Sequence, residues 1–259
     1  MGTPLIEGPW NPRHANGSSA LALLCHCLGT VPTLTEMSLA RFTVDLMRPV
    51  PVGAPLTVST RVAREGKKLQ IVELALIHDG VECVLATALR LREAELAGSQ
   101  GQLPLGSTDH QPTARITSPD SSIKLRDLRP DARGALLATD IRRATRDDGA
   151  FATWVNITID IVAGEPITPT ERLGFCADFV SLIGVGRQGD DLSMINPDIT
   201  THILRQPVGE WIAITGDTRF DHLTGRGVSV GELSDERGIF AVASATQLVE
   251  VLRNQAAAS

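Results

Sequence analysis

One strand-and-turn pattern occurs twice in this chain, at residues 41–53 and again at residues 198–209. Both copies alternate polar and apolar residues, as a half-buried strand does, and both then reach an Arg, a Pro and a Gly. Aligning Arg48 with Arg205 gives an offset of 157 residues (205 − 48 = 157). A chain made of two copies of one unit is expected to fold into two similar units, so this repeat limits the possible folds more than any other feature.

A second repeated turn supports the duplication. Setting Gly80, part of the hairpin signal Asp79-Gly80, over Gly238 gives an offset of 158 residues (238 − 80 = 158). The two offsets agree within one residue. They predict that each half contains a helix, a long strand that ends at a Pro/Gly turn, and three further strands.

Two stretches predict helices, one in each half. Residues 16–29 are rich in Ala and Leu and begin with a polar N-cap, either Asn16 or Ser18. Residues 171–183 follow the segment 168–171, Thr-Pro-Thr-Glu, which has the N-cap Thr, the first-turn Pro and the Glu of a capping box. Each helix is apolar enough to be covered by a sheet.

The remaining period-two segments predict an antiparallel sheet in each half. The first half has no counterparts of the two strands that precede the second helix. The predicted strands are residues 39–48, 56–62, 69–77 and 81–91 in the first half, and 136–144, 152–161, 198–205, 211–220, 227–233 and 239–251 in the second.

Residues 94–133 separate the two halves. Periodicity fails there, and Gly, Ser, Pro, Asp and Gln dominate, which is typical of a linker. The predicted organisation is an N-terminal unit at residues 1–93, a linker at 94–133 that runs over the surface, and a C-terminal unit at 134–259.

The composition argues against several classes of partner. A net charge of −6 and a pI of about 5.5 disfavour nucleic acid or an anionic membrane. No apolar run approaches the roughly 20 residues of a spanning helix, and no basic-then-apolar leader is present, so a cytoplasmic location is predicted. Metal-ligand spacing is absent, so we predict free thiols and neither metal nor cofactor; the cysteines are Cys25, Cys27, Cys83 and Cys176.

Several motifs, taken in their order and spacing, resemble one known family. They are Gly-Pro-Trp-Asn-Pro at residues 8–12 with the Asn-Gly at 16–17, and the segments 42–53, 64–70 and 205–211. Together they are similar to the thioesterase-like proteins related to bacterial acyl-CoA thioesterase II. The resemblance covers both halves and implies an α+β double hotdog fold, in which two antiparallel sheets are each wrapped around a central helix.

That family carries an Asp, a Thr and a Gln in its second hotdog, which hold a water against the thioester. The resemblance assigns these roles to Asp198, Thr218 and Gln247. In the first half the two offsets place Arg41 under Asp198 (198 − 157 = 41) and Leu89 under Gln247 (247 − 158 = 89). Only the second half is therefore predicted to carry the residues that hold the water.

The resemblance also implies a mechanism. Thioester hydrolysis needs a positioned water, a base and donors for the oxyanion, but no metal. Asp198 would deprotonate the water, while free N–H groups at Gly17 and Ser18, at the start of the first helix, would bind the oxyanion. The expected substrate is an acyl-CoA, and pairing of exposed sheet faces predicts a homodimer.

Two other functions stay open on the sequence. A degenerate hotdog protein would bind acyl thioesters without hydrolysing them. A hydratase or dehydratase would pair Asp198 with His202, but residues four apart on a strand lie about 13 Å from each other. The other histidines are predicted to be surface or packing residues: His14, His26, His78, His110 and His222.

Overall fold

The structure is a computed structural model that describes residues 2–8, 11–94, 114–128, 134–136, 139–181 and 192–251. Its helices are α1 Gly17–Gly29, α2 Leu125–Leu128 and α3 Pro169–Ala177, with 3-10 turns at Pro4–Ile6, Pro119–Ser121, Gly134–Leu136 and Asp178–Ser181. The described strands are β1 Met37–Leu46, β2 Thr57–Arg64, β3 Leu69–His78, β4 Val81–Arg92, β5 Ile123–Lys124, β6 Thr139–Thr145, β7 Phe151–Ile157, β8 Leu192–Ile195, β9 Asp198–Ile203, β10 Ile212–Asp221, β11 Arg226–Asp235 and β12 Gly238–Val251.

The strands of both halves form one continuous sheet. Its order is β2-β3-β4-β1-β9-β12-β11-β10-β7-β6-β5, with β8 paired beside β12. The first half is a helix followed by four antiparallel strands, as the sequence predicts. The expectation of two separate sheets differs from the structure, because β1 pairs with β9 and joins the two halves.

The joining strands show where the two copies meet. Thr43 of β1 lies opposite Thr200 of β9, and their hydroxyl oxygens are 3.4 Å apart. These two residues are 157 positions apart in the chain, the offset found between Arg48 and Arg205. Each is therefore paired with its own counterpart, and the strand order reads outward from this pair in the same way on both sides. The two halves therefore share one strand order about a quasi-twofold centre at this pair.

The strand registers correct one of the predicted counterparts. Gln70 lies opposite Arg90 in the β3–β4 pair, and Gly227 lies opposite Gln247 in the β11–β12 pair. Both pairs are separated by the same offset (227 − 70 = 157; 247 − 90 = 157). The first-half counterpart of Gln247 is therefore Arg90 and not Leu89. The polar Gln247 of the second half is thus matched in the first half by the polar Arg90, so a polar side chain is present in both copies.

The hairpin turns explain this one-residue error. The first hairpin turns through Asp79 and Gly80, which have positive φ values of 48° and 75°. The second turns through Glu236 and Arg237, and its Gly238 is already the first residue of β12. Because the two glycines occupy different places in their turns, aligning Gly80 with Gly238 overstates the offset by one.

Both helix starts are as the sequence predicts. Asn16 is the N-cap of α1, and Thr168 and Glu171 form a capping box at the start of α3. Helix α3 passes directly into the turn Asp178–Ser181. The last two residues of the predicted helix, 182–183, lie outside the described residues.

The two long helices cover the face of the sheet that carries the buried side chains, called the inner face below. They cross closely at Gly174, where a Cβ would lie 2.6 Å from Cys25 Sγ and 3.1 Å from the carbonyl oxygen of Leu21. A larger residue at position 174 would separate the helices, so this contact depends on glycine. None of the described helices is long and apolar enough to cross a membrane.

Part of the predicted linker is ordered against the second half. Residues 114–128 include α2 and β5, and β5 pairs with β6. The carbonyl oxygen of Thr117 accepts a hydrogen bond from Trp154 Nε1 at 2.8 Å. The four-residue strand β8 was not predicted. The rest of the linker, residues 9–10 of the first motif and residues 137–138 of a predicted strand lie outside the described residues.

Candidate active site

Asp178 is a buried carboxylate at the point where the two helices meet. It begins the turn that follows α3, its exposed fraction is 7%, and it lies beside the start of α1. Ser18 Oγ donates a hydrogen bond to Asp178 Oδ2 at 2.9 Å, and Asn196 Nδ2 donates one to Oδ1 at 2.9 Å. One donor comes from each half of the chain, so the site forms only when the two copies are assembled.

The start of α1 is shaped to receive this carboxylate. A Cβ at Gly17 would lie 2.9 Å from Asp178 Oδ2, so only glycine lets the helix approach so closely. The side chain of Asn16 accepts a hydrogen bond from Ser18 N at 2.8 Å and fixes the first turn. The positive end of the α1 dipole therefore lies beside a negative charge.

The environment of Asp178 changes its acidity. Burial raises the pKa of its carboxyl group above the ordinary value, against the hydrogen bonds from Asn196 and Ser18, which lower it. Burial is the larger of these effects, so the net direction is upward. A carboxylate with a raised pKa is a better proton acceptor near neutral pH than an ordinary Asp.

Gln247 lies on the inner face of β12 and is almost completely buried. Its Nε2 donates to Ser229 Oγ at 3.1 Å, and Ser229 Oγ is 2.7 Å from Thr218 Oγ1. These three residues thus form a hydrogen-bonded chain across β10, β11 and β12. Ser229 holds the amide of Gln247 in one orientation, which an isolated amide would not keep.

Gln247 and Asp178 face the same region of the inner face. The turn that carries Asp178 packs against β10, β11 and β12. Leu248 pairs with Ile195, and Gln247 and Asn196 are the residues next to this pair on their strands; Asn196 is the residue that bonds Asp178. Asp178, Asn196, Gln247 and the start of α1 are therefore the polar groups that converge here.

Asp198 lies on the opposite face of the sheet. Side chains alternate between faces along a strand, and the next residue, Ile199, is buried, so Asp198 projects outward. There it lies opposite the exposed Asp45, and its Oδ1 accepts a hydrogen bond from Thr246 N at 2.9 Å. The structure does not bring Asp198 together with Gln247, and the predicted grouping of these two residues is corrected accordingly.

The other predicted site residues have different outcomes. Gly17 and Ser18 are at the site, in contact with Asp178. Thr218 reaches Gln247 only through Ser229.

Asp178 was missed, although it is a single charge inside the apolar run 175–180 of a helix that packs in the core. A buried acid in that position has to be paired or functional, and this was the available signal.

Histidine and cysteine groups offer no competing centre in the part of the chain that the structure describes. No cluster of three His, Cys, Asp or Glu side chains is positioned for a metal among those residues. His202 is exposed and lies opposite Arg41, on the outer face. Burial raises the pKa of the Cys176 thiol to about 12, so this thiol is not a nucleophile at neutral pH.

Comparison with protein families matches both halves of the chain. A model described as the acyl-CoA thioesterase N-terminal domain matches residues 6–91, and one described as the acyl-CoA thioesterase C-terminal domain matches residues 138–251. Between them the two matches include all of the residues that converge on Asp178. Among curated protein sequences, no match is found.

Solved structures share the fold at low sequence identity. An acyl-CoA thioesterase II from Mycobacterium marinum is 14% identical with a TM-score of 0.67, over 90% of this chain and 88% of that chain. A tesB protein from Mycobacterium avium subs paratuberculosis is 11% identical with a TM-score of 0.66, over 94% and 91%. A conserved protein of unknown function with a hot dog fold from Alicyclobacillus acidocaldarius is 15% identical with a TM-score of 0.70, over 95% and 90%.

Proposed function

Because the chain belongs to the acyl-CoA thioesterase family, related to acyl-CoA thioesterase II, we propose that it hydrolyses acyl-CoA thioesters with Asp178 as general base. The observation that carries this proposal is the buried Asp178 carboxylate, bonded by Ser18 and Asn196 at the start of α1. The family pattern of an Asp with polar partners is met by Asp178 in place of Asp198.

The proposed reaction proceeds through a water held by this site. Asp178 accepts a proton from the water, whose oxygen attacks the carbonyl carbon of the thioester and forms a tetrahedral oxyanion. The oxyanion collapses, the carbon–sulfur bond breaks, and the leaving thiolate takes the proton from Asp178. The amides of Asn196 and Gln247 orient the water through hydrogen bonds. The products are a carboxylic acid and free coenzyme A.

The donor for the oxyanion is the Gly17 N–H. It is the first residue of α1, where N–H groups have no intrahelical partner. The N–H of Ser18 is already bonded to Asn16, so Gly17 is the amide that stays available. A donor of this kind contributes about 3 kcal/mol to transition-state stabilisation, and the α1 dipole adds to it.

The two alternative functions need different groups. A hydratase needs an acid as well as a base, and among the described residues no histidine contacts Asp178. A binding protein without turnover does not need a buried acid, whose ionised form is costly to keep. The raised pKa of Asp178 therefore favours hydrolysis. The homodimer predicted from the exposed sheet faces stays a prediction, which light scattering in solution would test.

Thiol release from acyl-CoAs of graded chain length tests the proposal. We expect the wild-type protein to release thiol, and Asp178→Asn to lower kcat by about 10²- to 10⁴-fold because the base is lost. Asp198→Asn is the matched control, since the same substitution is made on the outer face, and it should retain activity.

Three outcomes would contradict the proposal. Loss of activity in Asp198→Asn with retention in Asp178→Asn would restore the prediction made from the sequence. Tight binding of acyl-CoA without thiol release would indicate a binding protein. Addition of water to an enoyl-CoA would indicate a hydratase.

A further inference from the structure

The helix pair has a second end, and a cavity of about 250 Å³ opens there. It lies where α1 finishes and α3 begins, between the start of β1 and the end of β4. Its lining includes the side chains of Leu39, Arg90, Thr170 and Gln206. This end lies far along the helices from Asp178, which sits beside the start of α1.

The quasi-twofold relation makes this cavity the counterpart of the Asp178 site. The strand offset of 157 relates Leu39 to Asn196 and Arg90 to Gln247 (196 − 39 = 157; 247 − 90 = 157). Counting from the two N-caps, Thr170 in α3 stands where Ser18 stands in α1. Three positions that hold polar groups around Asp178 therefore recur around the cavity, with different chemistry.

The cavity carries a positive charge in place of a negative one. Arg90 is only 8% exposed, and its guanidinium group donates to Leu28 O, Val31 O and Gln70 Oε1, which are all neutral acceptors. In the part of the chain that the structure describes, Arg90 forms no ion pair. These contacts use three of the five N–H groups of an arginine. Buried charges are normally paired, so a cation of this kind attracts an anion.

Nearby acids do not neutralise Arg90. The exposed Glu65 reaches it only through Gln70, whose Nε2 donates to Glu65 Oε2 at 2.9 Å. Glu93, also exposed, binds the hydroxyl of Ser38 at the rim. Burial lowers the pKa of Arg90, and the charge of Glu65 opposes this effect without reversing it.

Gln206 supplies a second donor among the residues that line the cavity. Thr170 Oγ1 donates to Gln206 Oε1 at 3.1 Å, which leaves the Nε2 amino group of Gln206 to donate elsewhere. Leu28 and Leu39 line an apolar wall. By contrast, a larger cavity of about 410 Å³ beside Arg172 also has Asp160 and Glu210 in its lining, and these acids disfavour an anion there.

We propose that the cavity at Arg90 binds the carboxylate of a short-chain monocarboxylic acid. Arg90 and Gln206 bind the carboxylate oxygens, and Leu28 and Leu39 surround the aliphatic part. A volume of about 250 Å³ accommodates an acid with a short chain. This inference rests on the cavity alone and stands whether or not the protein hydrolyses thioesters.

Calorimetric titration with butyrate, and with butyramide as its neutral match, tests this site. We expect butyrate to bind and butyramide to bind at least tenfold more weakly, because a charge-assisted bond to a guanidinium is lost. Gln206→Met should weaken butyrate binding about tenfold and leave thiol release unchanged. Asp178→Asn should bind butyrate as the wild type does, which separates this site from the proposed active site.

Arg90→Met is the stronger variant, but it also removes hydrogen bonds to the end of α1. Its folding is therefore checked by thermal melting, and Gln206→Met decides the question if Arg90→Met does not fold. Equal binding of butyrate and butyramide, absence of butyrate binding, or butyrate binding that Gln206→Met leaves intact would each overturn the proposal.

Discussion

At one end of the α1–α3 pair, the start of α1 faces the buried acid Asp178; at the other end, the start of α3 faces His26 and carries the buried acid Glu171. The first acid is bonded by the side chains of Ser18 and Asn196. Glu171 instead accepts from Thr168 N at 2.9 Å through one oxygen and lies 2.8 Å from His26 Nδ1 through the other.

This difference separates a structural acid from a candidate catalytic one. Glu171 accepts from the backbone of its own helix start, in a capping box, and contacts His26, which ties α3 to α1. Asp178 is bonded by side chains of other elements, and burial raises the pKa of its carboxyl group. The two ends of the helix pair thus each hold a buried acid, but only Asp178 combines a raised pKa with polar side chains around it.

The largest expected effect comes from removing each acid in turn. Asp178→Asn should lower kcat/KM by about 10²- to 10⁴-fold, whereas Glu171→Gln should leave it nearly unchanged. The effects on stability should be the reverse, with Glu171→Gln destabilising the fold and Asp178→Asn stabilising it. Glu171→Gln has one acceptor oxygen in place of two, so it cannot accept from Thr168 N and contact His26 Nδ1 in the same way, and this loss should cost about 1 kcal/mol.

The shifted pKa of Asp178 predicts the direction in which Asp178→Asn changes the stability of the protein. The pKa of Asp178 is raised in the folded state, so its ionisation opposes folding once the pH exceeds the ordinary Asp value. At pH 7 the substitution removes that penalty, and the melting temperature should rise. If both variants lost activity equally, or if Asp178→Asn melted at a lower temperature, the distinction between the two acids would fail.

A smaller effect is expected at the start of α1. In Gly17→Ala the new Cβ would lie 2.9 Å from Asp178 Oδ2 and displace the carboxylate. Displacements of this size lower kcat by about 10- to 100-fold. Gly29→Ala is the control at the other end of the same helix, where nothing lies within 4 Å of the added atom. Equal effects of the two substitutions on steady-state kcat would show that Gly17 does not contact a working site.

Ser229 offers a test of the second polar group. Ser229→Ala removes the acceptor for Gln247 Nε2, so the amide loses its fixed orientation. We expect kcat to fall about tenfold, the effect of one lost hydrogen bond of about 1.4 kcal/mol, with KM nearly unchanged. Thr218→Val acts one contact further away and should have less effect. A fall in stability with no change in kcat would assign the chain of hydroxyls to packing alone.

The smallest expected change is a shift in the pH profile. The base must be ionised, so kcat/KM should rise with pH through the pKa of Asp178. Ser18 stabilises the ionised form, and Ser18→Ala should therefore raise that pKa and move the acidic limb to higher pH. Ser19→Ala is the control on the next residue. If the acidic limb of the kcat/KM profile does not shift in Ser18→Ala, a group other than Asp178 controls it.

Much of the fold follows from local signals in the sequence. Asn16 predicts the N-cap of α1, and Thr168 with Glu171 predicts the capping box of α3. Both can be predicted because a cap depends only on side chains within one helical turn. The repeated Arg-Pro-Gly turn gives the offset of 157 that relates Thr43 to Thr200. The four-residue strand β8 was missed since it is too short to show a period.

The site was harder to predict because it depends on which face a residue takes. The family resemblance assigns the acid to Asp198, and the asymmetry between the halves supports it, but this side chain projects to the outer face, opposite Asp45. Asp178 lies in an apolar helical run that reads as core. The hairpin alignment is shifted by one residue, so it gives Leu89 as the first-half counterpart of Gln247, whereas the strand registers give Arg90. Periodicity defines strands well, whereas a single residue of register decides which side chain enters the site.

The pairing of Thr43 with Thr200 has a kinetic consequence. It closes a loop of 157 residues, whereas the β3–β4 hairpin closes through the two residues Asp79 and Gly80. Closing long loops costs more chain entropy and slows folding. The hairpins of each half should therefore form early. Pairing of β1 with β9 should be the late step, and it should bring Ser18 to Asp178.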